Sequence, residues 1–156
     1  MELKNWRQYM ANKQSATSTW KGTLKEGSGE INLPKANVTT GYDFGSRFET
    51  GSTTNPEELL AGAVSSCFSM YLSALLSNET IGSINSIQTT AQVQLDASVS
   101  PPKVTTVELN VTADVTQLEN TKFQELVQQT ENECPVANLF QGASISTTAA
   151  LLTPNA

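Results

Sequence analysis

From Leu59 to Leu76 the chain carries no formal charge. The start signals of a helix stand just ahead of that stretch. Asn55 suits the cap, Pro56 the first helical position, and Glu58 the third, where a capping box wants a carboxylate. Leu59, Leu60, Ala63, Cys67, Met70, Tyr71 and Ala74 recur at helical spacing on one face. Val64, Phe68, Leu72, Leu75 and Leu76 carry the apolar character most of the way round, leaving mainly a stripe of Ser65, Ser69 and Ser73. A helix apolar nearly all round is one that protein surrounds, so the remainder of the chain is expected to wrap this one. Its length is near the lower limit for crossing a bilayer, and its serines and Gly62 argue for a protein interior instead.

Cys67, at the middle of this helix, is one of only two cysteines in 156 residues. There is no histidine, which removes the commonest general base and the commonest metal ligand together. Catalysis would have to use Cys, Arg, Lys, Tyr or carboxylates, and two cysteines alone make a zinc site improbable. The net charge of −6, with no dense run of Lys or Arg, gives no electrostatic support to a nucleic-acid or anionic-membrane partner. The opening Met1–Arg7 has no apolar run and no small-residue cleavage site, so a cytoplasmic location is expected. There a persistent disulfide is unfavourable and a redox-cycling pair of thiols is credible.

Along the chain the patterns predict one domain over residues 1–156, with residues 1–14 as a short helix or an arm. Ala16–Trp20 and Glu30–Leu33, joined through Gly27 and Gly29, predict a β-hairpin. The Gly/Ser/Thr-rich segment 39–54 predicts a loop with a short strand, presenting a lone Arg47. Ile87, Thr89, Ala91, Val93 and Leu95 alternate, and Val104–Val111 returns after Pro101-Pro102 as a second long strand. Leu118–Glu133 is an amphipathic helix around Phe123, Leu126 and Val127. Cys134-Pro135 is expected to open a short helix, and Ser144–Leu152 a last strand before a loose tail, Thr153–Ala156. The order predicts an α+β fold, a curved antiparallel β-sheet packed on a long buried central helix.

Four residues suggest chemistry, and each has a plainer explanation. Cys67 alone reads as a small buried hydrophobe. Cys134, at the expected start of a helix, would gain from exposed N–H groups and the positive dipole end, so local physics selects it as the more reactive thiol. Arg47 reads as a solvated charge, and Glu57 as an anion favoured at a helix start.

Taken together, the four residues are harder to dismiss. The run Thr54-Asn55-Pro56-Glu57-Glu58-Leu59-Leu60, with Cys67-Phe68 ten residues after Glu57, resembles the signature of the OsmC/Ohr family, the osmotically inducible and organic hydroperoxide resistance proteins. Cys134-Pro135-Val136-Ala137-Asn138-Leu139 resembles its second motif. Trp20-Lys21-Gly22 and Gly45-Ser46-Arg47-Phe48-Glu49 are similar to the OsmC branch, in which the functional arginine lies just before the helix. The resemblance runs from about residue 15 to the end. Ser65-Ser66 departs from the small apolar residues common in the family, and Ala137 from a frequent serine.

The resemblance implies a thiol-dependent peroxidase acting on organic hydroperoxides, and on hydrogen peroxide too, without metal, haem or flavin. By position it makes Cys67 the peroxidatic thiol, Cys134 the resolving thiol, Arg47 the stabiliser of the thiolate and Glu57 the carboxylate that holds the arginine. A mid-helix cysteine has no help from the dipole and is penalised by desolvation, so a guanidinium is the kind of group it needs. Glu57 and Cys67 are about 15 Å apart along a helix rising ~1.5 Å per residue, which leaves space for an arginine from another segment. The resemblance further implies an intertwined homodimer and a dithiol reductant, with a lipoylated protein as family precedent. The alternative is a non-catalytic dimeric module of the same fold binding a small hydrophobic ligand, which would need none of the four residues.

Overall fold

A computed structural model describes residues 13–152. All but the last two positions of the expected N-terminal arm lie outside the described residues, as does the tail Thr153–Ala156. The described residues fall into two compact units, one closing at Leu59 and the other beginning at Leu60.

The first unit is a meander of three antiparallel strands, β1 (Thr17–Lys21), β2 (Ser28–Leu33) and β3 (Val38–Asp43). The expected hairpin is present, with Thr17 opposite Asn32 and Lys21 opposite Ser28. Gly22 has φ +91°, a backbone conformation that side-chain-bearing residues avoid, and so lets the chain turn after β1. Gly29 stands opposite both Trp20 and Tyr42, whose ring centroids are 5.4 Å apart. A Cβ at Gly29 would run into both rings, so glycine is what allows the two aromatics to close over the sheet.

The segment 39–54 is more regular than its composition suggests. Gly41 lies inside β3, and a short helix, α1 (Phe44–Phe48), follows directly. Asp43 and Ser46 set that turn reciprocally: the Asp43 carboxylate accepts from the Ser46 N–H at 2.7 Å, and the Ser46 hydroxyl accepts from the Asp43 N–H at 3.1 Å. Arg47 is therefore carried by a capped helical turn and not by a loop.

The helix α2 (Pro56–Leu76) begins where the sequence predicts, with the Asn55 side chain accepting from the Glu58 N–H at 2.8 Å. The Glu58 carboxylate takes the Thr54 hydroxyl as its partner.

In the second unit, β4 (Ile84–Asp96) and β5 (Lys103–Val115) pair antiparallel, with Val93 opposite Val107 and Ala91 opposite Leu109. The sixth strand, β6 (Ser144–Leu152), lies parallel to β5, where the sequence predicts antiparallel pairing throughout. Its direction follows from the connection. Residues 116–143, containing α3 (Asn120–Glu133) and a 3-10 turn at Ala137–Leu139, cross over before the chain re-enters the sheet, and parallel strands need such a crossover. The α+β class is as expected, built from two three-stranded sheets with a helix packed in the core.

The core joins Val64, Phe68, Leu72, Leu75 and Leu76 of α2 to Val107, Leu109, Val111, Ala113 and Val115 of β5, and to Phe123, Leu126 and Val127 of α3. Fully burying a side chain such as Phe68 or Leu72 contributes about 1.5–3 kcal/mol. The α2 face through Leu60, Ala63 and Met70 is left exposed in the single chain, and Met70 is 73% accessible. The length and mean hydropathy of 1.7 would also suit a membrane, but the buried face of α2 is packed into this core.

Candidate active site

Arg47 and Glu57 form one pair. The Asn55 side chain that caps α2 also donates to the Ser46 carbonyl at 2.8 Å, which ties the start of α2 to α1. Arg47 can then reach Glu57 with two nitrogens. Its Nη2 donates to Oε1 at 2.8 Å, and its Nε lies 3.2 Å from both carboxylate oxygens. Glu57 is 12% exposed and Arg47 37%, so the carboxylate is the better buried member. The guanidinium also lies over the Phe48 ring, 5.5 Å from its centroid. The pair occupies one edge of the fork, and Nη1 has no hydrogen-bond partner among the described residues.

Cys67 and Cys134, far apart in the chain, form the other pair. Both are free thiols, Cys67 partly accessible and Cys134 fully buried. Burial is the first cause that pushes the Cys67 thiol above its ordinary pKa. The Val136 N–H opposes this by favouring the thiolate, while the neighbouring Cys134 thiol adds to it. These perturbing groups all belong to the unit that begins at Leu60. Of the apolar residues one turn from Cys67 on α2, Val64 is buried, whereas Ala63 and Met70 are exposed.

No regular helix begins at Cys134, although its carbonyl accepts from the Asn138 N–H at 3.0 Å and closes a single turn. Cys134 is the C-cap of α3, its N–H bonded to the Thr130 carbonyl at 2.8 Å, and the 3-10 turn begins only at Ala137. Pro135 marks the residue after a helix end, a position it occupies as readily as a helix start. This placement at the end of α3 removes the helix start on which the dipole argument for Cys134 rested. Exposure points to Cys67 as the thiol a solute can meet.

Residues 49–149 match the family model described as OsmC-like protein. Peroxiredoxin OsmC of Escherichia coli is 33% identical over 123 residues, covering 78% of this chain and 85% of that protein. The chain belongs to the OsmC-like family. Solved structures share its fold. An OsmC-like protein of unknown function from Vibrio cholerae aligns with a TM-score of 0.72 at 15% identity, covering 90% of this chain and all of that one. An organic hydroperoxide resistance protein from Legionella pneumophila aligns at 0.63 with 19% identity, covering 90% and 99%. This OsmC-like protein thus has relatives named for peroxide chemistry, and Arg47 lies two residues ahead of the segment matched by the family model.

Two further residues flank the thiols of this OsmC-like protein, and the sequence reading passed over both as site residues. The Tyr71 hydroxyl donates to Glu133 Oε2 at 2.8 Å. Burial, then the Glu133 carboxylate, pushes the phenol up to about 12, with a smaller contribution from Cys134. Their positions held a signal: Tyr71 is one helical turn after Cys67, and Glu133 immediately precedes Cys134.

Proposed function

We propose that this protein is a thiol-dependent peroxidase that reduces organic hydroperoxides, and hydrogen peroxide as well, through a Cys67–Cys134 disulfide. The observation that carries the reading is the meeting of an accessible and a buried free thiol from distant parts of the chain. The Cys67 thiolate attacks the terminal oxygen of the hydroperoxide. An S–O bond forms, the O–O bond breaks, and the alkoxide leaves as alcohol after taking a proton. The Cys134 sulfur then attacks the sulfenic sulfur: the S–S bond forms, the S–O bond breaks, and hydroxide leaves with the thiol proton as water. A dithiol reductant, for which a lipoylated protein is the family precedent, restores both thiols by exchange and departs as its own disulfide. Arg47, held by Glu57, supplies the cation that offsets the burial of Cys67. Neither metal nor organic cofactor takes part, and the protein acts in the cytoplasm.

One equivalent of an alkyl hydroperoxide added to reduced protein is expected to join Cys67 and Cys134 within one chain, with release of one equivalent of alcohol. Peptide mapping by mass spectrometry checks the linkage. Both thiols remaining free would overturn the reading in favour of a ligand-binding module of the same fold.

The working form is a homodimer. The support is the uncovered apolar face of α2 through Leu60, Ala63 and Met70, which a second copy would remove from water. Light scattering at micromolar concentration is expected to give twice the chain mass, and a monomer mass would count against the dimer.

A further inference from the structure

A carboxylate in the last turn of a helix faces the negative end of the dipole and is disfavoured there. Glu133 is the last residue of α3, whose last turn has no basic side chain to compensate it. What holds it is a pair of donors. Tyr71 donates to Oε2 at 2.8 Å, and the Gln129 amide, one turn back on α3, lies 3.2 Å from both oxygens. The Tyr71 bond spans 62 residues of sequence and links two elements at a particular place. On α2 it starts one turn beyond Cys67, and on α3 it ends on the residue before Cys134. At 2.8 Å the hydroxyl–carboxylate contact has the ordinary length of an O–H···O hydrogen bond.

We propose that Tyr71 and Glu133 are positioning residues for disulfide closure, a strut that holds the Cys134 segment against the turn of α2 that carries Cys67. The inference rests on the Cys67–Cys134 cycle and deepens it by assigning residues to its second half. Closure is the step sensitive to such a strut. Attack of Cys134 on the sulfenic sulfur requires the buried Cys134 sulfur to meet the Cys67 sulfur along a defined line, and a displacement of about 1 Å in such a geometry costs about a hundredfold in rate. Attack of Cys67 on a small diffusing peroxide makes no demand on where Cys134 lies. Losing the strut therefore separates two steps that general loosening of the fold would slow together. Glu133 is exposed, and the Gln129 amide on its own helix is a second donor to the carboxylate that receives the Tyr71 bond.

The test compares Tyr71→Phe and Glu133→Gln with the unmodified protein, in two arms. In the first, reduced protein is mixed with one equivalent of alkyl hydroperoxide, and sulfenic acid is trapped with a 1,3-diketone while disulfide is followed by mass. Tyr71→Phe is expected to oxidise Cys67 within twofold of the normal rate and to close the disulfide at least tenfold more slowly, with more trapped sulfenic acid. Glu133→Gln keeps an acceptor for the phenol without its charge and should fall between the two. In the second arm, closure is driven by oxidised dithiothreitol without any peroxide, and the equilibrium in Tyr71→Phe is expected to lie about tenfold further toward the free thiols. The second arm reads the strut even if peroxide proves not to be the substrate. Closure in Tyr71→Phe at the normal rate and normal equilibrium overturns the proposal. So does an equal slowing of Cys67 oxidation and of closure, which would make the bond merely structural.

Discussion

Cys67→Ser is expected to reduce hydroperoxide consumption to the uncatalysed background, and Cys134→Ser to consume a single equivalent and stop. The asymmetry is expected from accessibility. Cys134 is fully buried and Cys67 is not, so a hydroperoxide arriving from solvent meets Cys67 first. Serine at position 67 removes the polarisable thiolate that attacks the O–O bond, and no histidine exists elsewhere to activate the hydroxyl in its place. Serine at position 134 leaves that first attack intact but offers no sulfur to close the disulfide. Cys67 is then stranded as sulfenic acid and, with excess peroxide, proceeds to sulfinic acid. Quantifying residual peroxide against protein, with mass analysis of Cys67, distinguishes the outcomes. Full turnover in Cys67→Ser would transfer the peroxidatic role to Cys134. Loss of the first equivalent in Cys134→Ser would do the same.

Arg47→Ala is expected to shift the alkylation profile of Cys67 to higher pH and to slow peroxide reduction accordingly. The signs follow from which form carries charge. Burial penalises the thiolate and so raises the pKa of Cys67, as does the neighbouring Cys134 thiol. A guanidinium favours the thiolate and lowers it. In the proposed role of Arg47 an opposite charge favours the thiolate, so its loss should raise the midpoint. At neutral pH the thiolate fraction then falls by about tenfold for each unit. The measurement is cleanest in a Cys134→Ser background, where the profile should already begin lower than in the unmodified protein because the thiol–thiol contribution has gone. Arg47→Lys retains a charge but cannot reproduce the two-nitrogen grip on Glu57, and should lie between the arginine and alanine forms. Glu57→Gln loosens the arginine without removing it and should shift the profile least. An unchanged midpoint on losing Arg47 would remove the arginine from the mechanism.

The pairs in these tests were legible in the sequence to different degrees. Arg47 and Glu57 are ten residues apart, and the capping residues around them, Asp43, Ser46 and Asn55, act over three residues. The regularity of 38–48 was hidden because Gly41 and Gly45 read as loop by composition, whereas pairing with β2 and the Asp43–Ser46 cap override that preference. Tyr71 and Glu133 gave only positional hints, since a hydrogen bond across 62 residues leaves no periodic mark.

What the sequence by itself determined is whatever repeats on the scale of a backbone hydrogen bond. The start of α2 at Asn55-Pro56, the alternation of β4 and β5 and the amphipathic face of α3 are all local. Tertiary structure decided the rest. It chose Val64, Phe68 and Leu72 as the core face of a helix apolar on nearly every side, where periodicity alone is degenerate. It set β6 parallel to β5 through the α3 crossover. It also placed Cys134 at the end of a helix instead of the start, because a proline after cysteine fits either end and only the preceding turns of α3 settle which.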